Sequence, residues 1–323
     1  MIYLLYGATL AFTWFLIVNL VLSLLVAAVS RGVSAAIATS SPALRARVLL
    51  TLRLLPAAVS IAFVAGVFLP SFWRLEPRDF DEAFGVTTTS FALIACVVVG
   101  GALWRGVSAL RESAARSRAW LTHARPMTLA GAPTPVYCLD ATVPAMTLVG
   151  VFRPNLLVTR PLIDALTPEE LRAAIEHEVG HLGSWDNLKR LAMRATPDAL
   201  SLVAASRRLE QDWALAAEHA ADAAAAHDSG TGLALASALI KVARLTPPTP
   251  GLGLLASPLV GGEGIVSRVE RLMDRQPPRR PSVIVRTLGW TASAMIFCAA
   301  IAGYAPLLQS VHRASEILVH ALP

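Results

Sequence analysis

Apolar and charged positions are segregated along this chain. Residues 1–30 carry no charge, and further uncharged runs lie between Arg53 and Arg74, between Glu82 and Arg105, and between Arg286 and His312. Each run can supply the roughly 20 apolar residues that cross the hydrocarbon core of a bilayer. Four membrane-spanning helices are therefore expected. The first run starts at once, without the basic leader of a secretory signal, and reads as a spanning helix.

The arginines orient these spans. Arg31, Arg45, Arg47 and Arg53 follow the first with no acidic residue among them, whereas Arg74 and Arg78 after the second are balanced by Glu76, Asp79, Asp81 and Glu82. Arg105, Arg111, Arg116, Arg118 and Arg125 follow the third, and Arg271, Arg275, Arg279, Arg280 and Arg286 precede the fourth. Arginine-rich flanks stay in the cytoplasm. The expected organisation is three transmembrane helices over 1–104, a cytoplasmic domain over 105–286, a fourth helix over 287–311 and a short extracytoplasmic tail over 312–323. Both termini then lie outside a multi-pass protein of the cell membrane.

Within 105–286 the pattern changes. Residues 105–123 read as a helix leaving the membrane, and Pro126, Gly131, Pro133 and Pro135 break any continuation. Strand-like segments follow at 147–152 and 156–159 around a turn at Arg153-Pro154-Asn155, predicting a small antiparallel sheet. Thr167, Pro168 and Glu170 make a complete helix start, cap and capping box included, for a helix running to about Leu182. Pro197 interrupts the next helical stretch. A long alanine-rich helix is expected from there to Asp228, stopping at Ser229-Gly230-Thr231-Gly232.

Composition agrees with the pattern. The 323 residues are 55% hydrophobic and 15% charged, against about a quarter charged in an ordinary soluble domain, and mean hydropathy is +0.57. A formal charge of +6 could point to nucleic acid, but the arginines flank apolar runs, so the lipid bilayer is the expected partner and direct nucleic-acid binding is not. Cys96, Cys138 and Cys298 are far apart and suggest neither a disulfide framework nor a thiolate metal site.

The chemistry sits in the capped helix, at His177-Glu178-Val179-Gly180-His181. Residues four apart share a helix face, so both imidazoles can ligate one metal ion, and Glu178, one position on, can reach a metal-bound water. A third ligand is offered by Glu218 on the alanine-rich helix, with Asp222 one turn on, placed to orient a ligating histidine. Alanines around them allow the two helices to approach closely. One Zn2+ would then lower the pKa of its water toward about 7 and polarise a scissile carbonyl, with Glu178 moving the proton. An extended substrate could be received by edge addition at Leu148, Gly150 and Phe152, although an internal strand with no such role reads equally well. Asp186 is either an orienting group for the motif helix or an ordinary loop aspartate. His219 and His227 point away from Glu218 and read as packing or surface histidines, as Cys138 reads as packing. His123, His312 and His320 lie outside the motif, and Asn19 in the first span is expected to join helices.

Three spans before HEVGH and one after it, with Val149-Gly-Val-Phe-Arg-Pro-Asn155 ahead of Thr167-Pro-Glu-Glu-Leu-Arg172, resemble the BlaR/MecR family of membrane metallopeptidases. Ser267-Arg-Val-Glu-Arg-Leu272 is similar to that family's arginine-containing segment just before the last span. The resemblance implies a mainly α integral membrane protein with a cytoplasmic α+β gluzincin metallopeptidase domain between helices three and four. It implies zinc on His177, His181 and Glu218, Glu178 as catalytic residue, and a polypeptide substrate that is the protein itself or a BlaI-type repressor. Sensing members carry a penicillin-binding domain after the fourth span, and only twelve residues follow Val311 here, so antibiotic sensing is not expected. An HtpX-like or prenyl-protease-like membrane peptidase, which shares HExxH and the downstream ExxxD, is the alternative, although HtpX places two spans on each side of the motif. A signalling scaffold with a structural metal site is the non-enzymatic reading, and intact Glu178 disfavours it. Monomer and homodimer both remain open.

Overall fold

The computed structural model describes residues 2–78, 85–199, 204–245, 264–274 and 303–321. Three helical stretches in it are long and apolar enough to cross a membrane. They are α1 (Ile2–Ala36), the continuous stretch Pro42–Leu75, and α4 (Val86–His123). The second stretch comprises α2 (Pro42–Phe63), a π-helical turn over Val64–Phe68 and α3 (Leu69–Leu75). Ser41 caps α2 by accepting from the Leu44 amide at 3.4 Å, with Pro42 at the first helical position. The second helix thus starts eleven residues before Arg53, earlier than its apolar run predicts. Most of the expected fourth span lies outside the described residues; a last helix, α11 (Tyr304–Ala321), crosses the expected boundary at 311.

With 35 residues in α1 and 38 in α4, these helices reach more than 50 Å at about 1.5 Å per residue, against a hydrocarbon core of about 30 Å. Their excess length carries the domain. Asn19 of α1 donates to Pro197 O at 3.2 Å and accepts from the Ala199 amide at 2.8 Å, and Ser23 donates to Asp198 at 3.1 Å. So Asn19 ties the first helix to the domain through the backbone of 197–199. Arg53 of α2, only 5% exposed, reaches Glu210 at 3.0 Å, Asp198 at 3.4 Å and Met193 O at 3.3 Å. A buried guanidinium needs such partners. The boundary arginine of the second span therefore fastens the domain to it.

A small sheet follows directly on α4. Its four strands are β1 (Ala124–Met127), β2 (Val136–Leu139), β3 (Met146–Val149) and β4 (Asn155–Thr159), in the order β1-β2-β4-β3. β1 was not expected, because Pro126 lies within it. It pairs on one side only, with β2, and an edge strand tolerates proline. The sheet is mixed and so departs from the antiparallel expectation: β2 and β4 run parallel, and the other two pairings are antiparallel. Gly150 closes the turn after β3 at φ +98°, where an added Cβ would stand 3.1 Å from Arg153 O.

Five helices complete the described domain: α5 (Arg160–Ala165), α6 (Pro168–Ser184), α7 (Asp186–Ala195), α8 (Ala204–Ala225) and α9 (Ser229–Leu245), with α10 (Ile265–Met273) packed beside α9. The capping box of α6 forms as predicted, the Thr167 hydroxyl accepting from the Glu170 amide and the Glu170 carboxylate from the Thr167 amide. The alanine-rich helix is shorter than expected, 204–225, and Ser229–Gly232 opens α9 instead of ending a chain of helix. Asp228 explains this, since its carboxylate accepts from the Thr231 amide at 2.7 Å as an N-cap does. The inner face of the sheet, α6 and α9 share one apolar core around Met146, Val158, Leu162, Ala174 and Leu239. That core fixes one side of α6 and leaves its other side to α8.

Candidate metal centre

The HExxH residues stand on the face of α6 turned to α8. Gly180 makes the approach close: a Cβ there would lie 3.1 Å from Ala221 Cα and 3.3 Å from its Cβ. The alanines of α8, expected from the sequence to allow a close approach, meet Gly180 of α6 and bring Glu218 across to the two imidazoles. His177 and His181 face each other through Nε2 at 3.2 Å, and the Glu218 carboxylate lies 3.6 Å from the first and 3.5 Å from the second. Four ligands at about 2.0–2.1 Å around a tetrahedral zinc stand about 3.3–3.4 Å from one another. Three donors at that mutual spacing fit one such ion.

The outer nitrogens are committed elsewhere. His177 Nδ1 lies 2.9 Å from Asp222 and His181 Nδ1 lies 2.7 Å from Asp186. With a carboxylate beside each Nδ1, hydrogen-bonded at His181 and 2.9 Å away at His177, both Nε2 atoms face the space between the helices. Asp186 is thus the orienting group of the two readings its position allowed, and Lys189 holds its other oxygen at 3.0 Å. Trp185, at φ +57°, makes the left-handed corner between α6 and α7 that turns Asp186 back toward His181.

Charge in the site is anionic where a cation fits. Burial lowers the pKa of His181, yet the Glu218 charge and the hydrogen bonds of Asp186 and Glu218 carry it up to about 10. His177 is also raised, burial being outweighed by Asp222 and Glu218. Burial opposes ionisation of Glu218, but the two histidines hold it well below the ordinary carboxylate range. The same carboxylate field that retains protons on these imidazoles favours a divalent cation between them.

Glu178 is 1% exposed, and neither carboxylate oxygen makes a hydrogen bond of ordinary geometry. Burial pushes it up to about 7, against the pull of His177, His181 and the backbone of Leu148. A carboxyl poised there can both take and return a proton near neutral pH.

Two residues complete the arrangement: Arg268, in the segment whose resemblance carried no role for it, and Asn187, which no motif marks. Arg268 of α10, 2% exposed, grips Asp222 with a fork at 2.8 and 2.7 Å and reaches Glu218 at 3.2 Å. Burial works against Asp222, but Arg268 and His177 bring it down to about 2. Asn187 donates to Leu148 O at 3.2 Å and Gly150 O at 2.8 Å. β3 is an edge of the sheet, as a receiving strand must be, and Leu148 is buried while Phe152 is 61% exposed. β3 ends at Val149, short of the expected 152, so Gly150 and Phe152 lie beyond the strand; Asn187 takes the Leu148 carbonyl of β3 and the Gly150 carbonyl of the turn after it.

The remaining histidines stay out of the centre. His219 is buried, 3.5 Å from the Ser267 hydroxyl; burial and the Arg271 charge lower it to about 4. His227 is half-exposed beside Glu176 and Asp228. His123 and His320 are exposed, each bonded to a carbonyl of its own helix. Cys138 is buried in the sheet core, as expected.

Comparison with known proteins agrees with this geometry. Residues 147–249 match peptidase family M48. Over 50 residues, 16% of this chain, the sequence is 42% identical to Protease HtpX homolog 2 of Sulfurisphaera tokodaii, and the match covers 15% of that protein's length. The M48 match runs from the second residue of β3 and includes both motif histidines, Glu178, Glu218 and Asp222. It supports an HtpX-like M48 membrane metallopeptidase, the alternative of the two resemblances drawn from the sequence.

Proposed function

We propose that the protein is a membrane-embedded, zinc-dependent endopeptidase that hydrolyses peptide bonds of a polypeptide at the cytoplasmic surface. The observation that carries this reading is the trio of His177, His181 and Glu218 at ligand spacing beside a buried Glu178. Zinc bound to the three would supply Lewis acidity and an acidified water. Glu178 holds the proton removed from the attacking water and returns it to the leaving amine. Asp222 and Asp186 keep the two imidazoles in the ligating tautomer, and Arg268 fixes Asp222. The substrate lies extended along β3, its backbone replacing Asn187 at Leu148 O and Gly150 O.

Orientation rests on the arginine distribution, which puts 105–286 in the cytoplasm. For the substrate, the local likeness to an HtpX protein favours membrane-protein turnover or processing. The arrangement of three long helices ahead of the motif favours the BlaR-type reading, cleavage of itself or of a BlaI-type repressor. Comparing proteomes of cells expressing wild type and Glu178→Gln decides between them. Shortened membrane proteins present only with the wild type support the first, a shortened repressor the second. Identical proteomes would remove the peptidase assignment.

A further inference from the structure

A second group of metal-ligating side chains lies at the far end of the helical bundle. Tyr3, near the start of α1, reaches Phe72 O of α3, whereas the domain binds α1 at Asn19 and Ser23. The C-terminal end of α3 is therefore remote from His177. Glu76 caps that end, with its side chain 5% exposed. His312 and Glu316 stand one turn apart on α11, and His312 Nδ1 is 3.4 Å from Glu76 Oε2. One donor atom from each of the three lies within 4.8 Å of the others.

We propose that Glu76, His312 and Glu316 form a second divalent-cation site, which clamps α11 to the end of α3. Three features support it. The spacing of His312 and Glu316 puts an imidazole and a carboxylate on one helix face, as in the HExxH pair. The third donor is a buried carboxylate at a helix C-terminus, where the helix dipole disfavours negative charge and a nearby cation restores the balance. One imidazole with two carboxylates is a donor set that suits zinc, manganese or cobalt. The surrounding contacts hold both elements in place: Ser71 donates to Leu308 O at 2.7 Å, Trp14 to the Ser315 hydroxyl at 3.0 Å and Tyr304 to Gly66 O at 2.6 Å. Glu316 is only partly buried, so a rotamer change can close its carboxylate on the ion.

The site has a mechanical setting. Glu76 directly follows the continuous helical stretch Pro42–Leu75, in which Arg53 grips Glu210 of α8, the helix that carries Glu218. A cation at Glu76 thus steadies one end of the helix that seats a ligand helix of the first centre. By the arginine distribution this end faces outside, so the ion would be drawn from the extracytoplasmic side.

The test is equilibrium dialysis of the full chain in detergent against zinc chloride. One bound zinc per chain should disappear in His312→Ala and in Glu316→Gln, and persist in Glu218→Ala, which lesions only the first centre. Zinc should also raise the Tm of Glu218→Ala but not that of Glu218→Ala/Glu316→Gln; Glu316 is partly exposed, so its amide keeps the fold. Zinc content and Tm response unchanged by His312→Ala and Glu316→Gln would leave an ordinary histidine–glutamate pair and overturn the site.

Discussion

Asp222→Asn separates what holds the metal from what holds the fold. The Asp222 carboxylate lies 2.9 Å from His177 Nδ1 and accepts from Arg268 at 2.8 and 2.7 Å. Asparagine keeps the shape and withdraws the charge. Loss of an orienting carboxylate behind a ligating histidine lowers metal affinity about 10–100-fold, or about 1.4–2.7 kcal/mol. Folding suffers separately. Arg268 is 2% exposed, and removing one partner of a buried pair costs about 3–5 kcal/mol. Glu218 still stands 3.2 Å from its guanidinium, so the loss should sit at the lower end, about 3 kcal/mol. The assay is chelator competition for zinc affinity together with denaturant unfolding of the full chain in detergent. Asp222→Asn/Arg268→Met should recover much of the stability, because the stranded charge is gone, while zinc affinity stays low. Zinc affinity within twofold of wild type in Asp222→Asn, or a double variant no more stable than the single one, would refute the reasoning.

Gly180→Val should drive α6 from α8, since its Cβ alone meets Ala221 Cα at 3.1 Å. Overpacking of this kind costs about 1–3 kcal/mol, and zinc retention should fall with it; a variant that keeps full zinc content would show that the helices need not be this close. Glu178→Gln should retain zinc while peptide hydrolysis drops by at least about a hundredfold, and persisting cleavage would remove Glu178 as the proton carrier. Glu170 is opposed by burial, but Lys241 at 2.7 Å, Ser237 at 2.6 Å and the Thr167 backbone hold its carboxyl below the ordinary value. Its stabilisation is present above the unfolded carboxyl pKa and is lost as pH falls through the lowered folded one. Glu170→Gln should therefore cost about 1–2 kcal/mol at neutral pH and flatten the acid side of the stability profile; an unchanged profile would mean Lys241 contributes nothing.

Much of the candidate centre was legible because helical periodicity projects sequence spacing into space. His177, His181, Glu218 and Asp222 follow from two four-residue intervals, and Thr167 with Glu170 from the reciprocal hydrogen bonds of a capping box. Arg268 was not legible in that way. Its partner is 46 residues away, and no local interval marks such a pair. Asn187 is of the same kind, a side chain whose acceptors lie on a strand 37 and 39 residues earlier. Strand β1 and helix α9 depart from the sequence expectation for a different reason. Pro126 and Ser229-Gly230 read as breakers on local propensity, but an edge position tolerates proline, and the Asp228 carboxylate turns a stop into a start. Arg53 marks the margin of a span in the sequence, and only the folded structure shows it buried against Asp198 and Glu210.

The central claim is that α6 and α8 together hold one divalent cation. Anomalous diffraction from crystals of the zinc-replete full chain, collected on both sides of the zinc edge, tests it most directly. A zinc peak bounded by His177 Nε2, His181 Nε2 and Glu218, lost in Glu218→Ala, is the predicted result. Clear density for the three side chains with no such peak between them would contradict it.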